Sequence, residues 1–178
     1  MTAPLRRPGP PEGEPLVHAA DEQSAVAVDV ARLRALADGV LRAEGVRGAC
    51  ELSLFFVDAE TIADLHQRFM GEAGPTDVLS FPIDDDPVES GRMPDNGTPG
   101  PDRPEVDPGE IPVLLGDVVV CPAVAAANAD EHGRAVDDEL ALLVVHGVLH
   151  VLGMDHADDD EEAAMQARER ELLARFWT

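Results

Sequence analysis

Apolar positions along this chain recur with two different periods, and the alternation between them lays out the fold. Over 28–44, Val30, Leu33, Leu36, Ala37, Val40 and Leu41 return every three to four residues. That spacing predicts an amphipathic helix with one face inward, with Arg32, Arg34 and Arg42 on the rest of its surface and Gly45 as its stop. A short strand is expected at 16–19. The stretch 50–57, rich in Leu, Phe and Val, reads as a buried strand. Asp58 follows as an N-cap and opens a helix through Met70.

Residues 71–82 form a turn and a strand, with Gly74-Pro75 setting the turn and Pro82 halting strand pairing. Strand character returns over 113–121. Pro122 suits the first turn of a helix reaching His132 and closed by Gly133. Asp137, Asp138 and Glu139 then sit in the first turn of a helix running to about Leu152, where they complement its positive end. A last helix, 159–176, starts in the same acidic manner. The expected class is α+β, close to α/β: one domain over 15–178, with a central mixed sheet of about four strands covered by about five helices.

Composition modifies this picture at two places. The opening 1–14 carries two arginines but then runs into Pro, Gly and acids, so it is expected to be a disordered tail and not a hydrophobic leader. Residues 83–110 hold nine acids against two arginines, with no periodicity. They are expected to form a solvated loop or disordered insertion. The longest nearly apolar stretch, 140–154, is too short to cross a bilayer and contains two histidines, so no membrane role is implied. Cys50 and Cys121 belong to no CxxC pair and read as two buried, reduced thiols of a cytoplasmic protein.

A formal net charge of −23 argues against a nucleic-acid partner, because such proteins normally present a basic surface to phosphate. Two features soften that argument. Much of the acidity lies in 83–110 and 158–162, and every basic residue is arginine, whose planar fork grips phosphate at discrete points.

The chemistry concentrates in one segment. His146 and His150 are four residues apart, hence on one face of one helix, one turn above the other. Gly153 can end that helix and turn the chain back, bringing His156 round. Three imidazoles with a fourth position left to water is the arrangement of a catalytic zinc site. A single histidine on an apolar helix is more often a satisfied core residue, but a core has no reason to space three to match tetrahedral geometry. His18, His66 and His132 lie apart and read as surface or cap residues. The metzincin proteases share this spacing with a glutamate directly after the first histidine, which serves as general base. Here that position is Gly147, so peptide hydrolysis loses most of its support.

HGVLHVLGMDH at 146–156 resembles the HGxLHLxGxDH signature of the YbeY family, and GPTDVLSFP at 74–82 and LGDVVVCPAVAAANA at 115–129 match in order and spacing. The resemblance covers roughly residues 45–157. It implies a small α/β fold, one zinc ion held by His146, His150 and His156, and single-strand endoribonuclease activity in 3′-end maturation of small-subunit ribosomal RNA and in ribosome quality control. The implied partners are ribosomal RNA and the small ribosomal subunit or its proteins, with no DNA and no membrane. No side chain is assigned as catalytic beyond the metal's water. Arg68, Thr76, Ser80, Asp117 and Asp155 are the cleft candidates.

Two departures stand out. Many members carry an arginine where this chain has Met70, with Arg68 two positions earlier. The acidic stretch 83–110 is also longer than the expected connection and would restrict which RNA enters. Two other functions stay open: a ribosome-assembly adaptor with a structural zinc, and a metal-dependent hydrolase of peptides or small molecules.

Overall fold

The computed structural model describes residues 13–83 and 112–178. The expected tail and the acidic insertion fall almost wholly outside the described residues. Nine elements follow in order: β1 (Leu16–Asp21), α1 (Val30–Ala43), β2 (Cys50–Phe56), α2 (Ala59–Met70), β3 (Val78–Pro82), β4 (Val113–Val120), α3 (Pro122–Glu131), α4 (Val136–Val151) and α5 (Asp159–Phe176). The mixed four-stranded sheet and five helices agree with the expected class, and the helix bounds fall within about two residues of those read from periodicity.

The strand order is β1-β2-β4-β3. β1, β2 and β4 run parallel, and β3 lies antiparallel along β4 at the edge. Alternation along the central strands divides their side chains between two layers. Leu52, Leu54, Phe56, Val118 and Val120 point into the main core, where Leu33, Leu36 and Val40 of α1, Leu140, Val144 and Leu149 of α4, and Met165 and Leu172 of α5 meet them. The opposite face carries Val57, Leu79, Val119 and Cys121, covered by Ile62 and Leu65 of α2. Cys50 and Cys121 are both buried and free, as read from the sequence.

Local chemistry fixes the ends. Asp58 accepts from the Thr61 amide at 2.7 Å, capping α2, and Gly71 closes that helix in the left-handed region with φ 72°. The register slips between Glu51 and Leu52, opposite Leu114 and Gly116. A Cβ on Gly116 would run into the Phe81 carbonyl oxygen, so only glycine lets the edge strand approach β4 at the slip. No helix among the described residues is long and apolar enough to cross a membrane.

Candidate metal centre

α4 packs directly across β4 and β3, and Gly147 permits it. A side chain begun at Gly147 would place its Cβ 2.5 Å from Val118 Cγ1 and 3.4 Å from Ser80 Oγ. The position after the first histidine therefore points into the sheet. A glutamate there could not reach the three histidines, which gives a steric reason for the absence of the protease base. Ser80 Oγ donates to the Gly147 carbonyl oxygen at 3.1 Å, tying the edge strand to the middle of α4.

With Gly147 against the sheet, His146 and His150 turn toward an open cleft of about 690 Å³. α4 then ends: the Gly153 amide donates to His150 O and the Met154 amide to Leu149 O, both at 3.0 Å. Gly153 adopts φ 95°, and the chain doubles back to deliver His156. Asp155 Oδ1 accepts from the His156 amide at 2.8 Å, bracing the backbone that carries this third ring.

The three imidazoles converge. One ligating atom from each lies within 4.8 Å of the others, and the ring centroids are 4.5, 5.0 and 5.8 Å apart. His146 Nε2 and His150 Nε2 face each other at 3.0 Å. Two nitrogens bound to one tetrahedral zinc at about 2.0–2.1 Å stand roughly 3.3 Å apart, so the pair needs little adjustment to share an ion. His150 is held below the ordinary histidine pKa by burial first and by the neighbouring His146 and His156 second, which favours the neutral, ligating form.

A carboxylate that sequence reasoning overlooked completes the arrangement. Glu169 on α5 is 7 % exposed, and its Oε1 lies 2.6 Å from His146 Nδ1. A carboxylate oxygen only accepts, so the contact suits the tautomer with its hydrogen on Nδ1, which has its lone pair on Nε2, the nitrogen turned toward His150. Met165, Glu169 and Leu172 share one inward face of α5 at helical spacing. An acid on that stripe was the available signal.

The five other candidates separate. Thr76, Ser80 and Asp155 line the cleft with the histidines. Arg68 does not: it is exposed and pairs with Asp64 one turn back at 3.3 Å, whereas Met70 sits at the cleft. Asp117 is also displaced. It shares the face of Val119 and lines an apolar groove with Phe55 and Phe81 on the opposite side of the sheet. Three further titratable residues belong to the cleft wall, His66, Glu72 and Asp77. Asp77 is occupied structurally, accepting from the Val78 amide at 2.8 Å and from Asn128 Nδ2 at 3.2 Å.

Comparison with known proteins agrees with this geometry. The family model described as Endoribonuclease YbeY matches residues 18–177. The protein named Endoribonuclease YbeY from Mycolicibacterium gilvum is 46 % identical over 86 % of this chain and 79 % of its own length. Its namesake from Acidothermus cellulolyticus is 47 % identical over 86 % of this chain and 87 % of that protein. The namesake from Frankia casuarinae is 46 % identical over 90 % and 74 %. A Thermotoga maritima protein whose structure was solved in solution shares the fold with a TM-score of 0.59 at 23 % identity, covering 91 % of this chain and 89 % of that one. With a family model matched across both the sheet and the three-histidine segment, and relatives near half identity over most of its length, this chain belongs to the YbeY endoribonuclease family.

Proposed function

We propose that this chain is a zinc-dependent endoribonuclease that cuts single-stranded RNA in the cytoplasm, acting in 3′-end maturation of small-subunit ribosomal RNA and in ribosome quality control alongside the small subunit. The observation that carries the reading is the convergence of His146, His150 and His156 on one spot in the wall of an open cleft. His146 and His150 would hold the ion through Nε2, and His156 would close the third position from the turn after α4. Glu169 keeps the hydrogen of His146 on Nδ1, so that Nε2 is the ligating nitrogen. When bound, a divalent zinc supplies a Lewis acid for a phosphoryl oxygen and lowers the pKa of water near it. Burial of His150, with His146 and His156 beside it, lowers its pKa and so weakens the competition from protonation at that ring. Thr76 and Asp155 line the approach, and Ser80 fixes the distance between edge strand and helix.

His150→Ala is expected to lose bound zinc, measured by elemental analysis, together with cleavage of a ribosomal RNA precursor. Cleavage by a metal-free variant at the wild-type rate would reject the proposal. The net charge of −23 favours a second reading, an assembly adaptor with a structural ion. Full zinc content with no cleavage of any ribosomal precursor, but saturable binding to a small-subunit protein, would establish it.

A further inference from the structure

We propose that His66 is a phosphate-binding residue of the cleft, and that the Glu72 carboxylate occupies the position at its Nε2 that an RNA phosphate takes. The proposal rests on the endoribonuclease reading above and assigns that site a contact to the substrate backbone.

His66 stands on α2 and lines the same cleft as His146 and His150 of α4, with its side chain 14 % exposed. Its Nδ1 lies 2.9 Å from the Gly74 carbonyl oxygen and its Nε2 lies 3.1 Å from Glu72 Oε2. A carbonyl and a carboxylate oxygen only accept hydrogen bonds, so both ring nitrogens face acceptors, and a hydrogen on each satisfies both contacts. With both contacts made, the ring presents an Nε2 donor on the wall of the cleft that the three histidines share. The distinction matters because no arginine is among the described residues lining the cleft. Arg68 spends its charge on Asp64, and Met70 brings none.

Single-stranded RNA carries one negative charge per nucleotide, and the cleft already holds Glu72, Asp77 and Asp155. Asp77 is consumed by the Val78 amide and Asn128, and Asp155 by the His156 amide. Glu72 differs from both: its side chain is 72 % exposed, and among the described residues its polar contact is His66. An exposed carboxylate gains little from such a pair. A phosphate offers the same acceptor chemistry with more oxygens and a fixed position on the substrate, so it can replace the carboxylate while the Gly74 carbonyl keeps the ring aimed.

The test uses the full chain loaded with zinc, a labelled single-stranded RNA oligonucleotide for binding over a range of salt, and a ribosomal precursor for cleavage. His66→Gln keeps a donor for Gly74 but carries no ionisable ring. It is expected to weaken binding and raise KM about tenfold, and to flatten the logarithmic salt slope by about 0.7, the contribution of one phosphate contact on a single strand. Zinc content should stay at the wild-type level. His66→Arg is expected to restore the slope. Glu72→Gln, a change on the exposed surface, is expected to tighten binding. Arg68→Gln should match wild type.

Opposite signs at His66 and Glu72 are what a merely structural pair would not produce. Wild-type affinity and slope in His66→Gln, or weaker binding in Glu72→Gln, overturns the assignment while leaving cleavage by the metal centre intact. A wild-type chain that neither binds nor cuts RNA defeats the nuclease reading as well.

Discussion

The contact between Gly147 and Val118 sets how closely α4, and with it His146, approaches the sheet, and Gly147→Ala tests that claim. On an unpacked helix the change would stabilise by about 1 kcal/mol, because alanine is the better helix former. Here the new methyl would sit 2.5 Å from Val118 Cγ1 and 3.3 Å from Cγ2. Val118 is fully buried between the main core and the helix, and its β-branched side chain is stiff at χ1, so it cannot swing aside. Inserting one methyl into such a contact costs about 1–3 kcal/mol, which offsets the propensity gain and leaves a net loss of roughly 1 kcal/mol. The measurement is urea unfolding of the zinc-free chain, chosen so that ligand binding does not alter the apparent stability. Combining Gly147→Ala with Val118→Ala should recover part of the loss, with a coupling energy of about 0.5–3 kcal/mol. A Gly147→Ala chain that is more stable than wild type by the full propensity increment, with no coupling to Val118, would refute the packing argument.

Three further outcomes follow from the geometry. Glu169→Leu should lower zinc affinity about 10–100-fold, measured by competition with a chromophoric chelator, while Glu169→Gln, which retains an oxygen acceptor, loses less; equal affinities in all three chains would remove the carboxylate's orienting role. Leu149→Ala, at a fully buried position on α4, should destabilise the fold by about 2–5 kcal/mol in the same urea assay, and a loss under 1 kcal/mol would show the cavity had collapsed. The Asp58 carboxyl is held below the ordinary aspartate pKa, chiefly by the Thr61 amide. Its capping contribution is therefore present above the unfolded value of about 3.9 and is lost as pH falls through the lower folded value. Asp58→Asn caps without titrating, so the difference in Tm between the two chains should shift toward the variant in acid, and a pH-independent difference would contradict this.

Most of the element order was legible because it depends on local periodicity. Asp58, Gly71 and Pro122 mark ends that neighbouring residues enforce, and the structure places them at or beside helix boundaries. The order β1-β2-β4-β3 was not legible, since nothing local says that 113–120 inserts between strands earlier in the chain. The convergence of His146, His150 and His156 was readable because two lie on one helix and the third follows a glycine turn. Arg68 and Asp117 were misplaced for want of a face. Arg68 lies along the exposed side of α2, and Asp117 follows the alternation of Val119 to the far side of the sheet. The contacts of Glu169 and His66 were not legible because they depend on partners 23 and 8 residues away, His146 and the Gly74 carbonyl.

The centre draws on α4, the reverse turn and α5 in succession, so a cation gripped there would work as a clasp on the carboxy-terminal quarter. Release of α5 would strip His146 of its Glu169 support. Binding should accordingly slow amide exchange in that helix more than in β1. The lone tryptophan, Trp177, whose indole donates to Asp138 at 2.8 Å at the start of α4, gives an optical report of whether the clasp is shut.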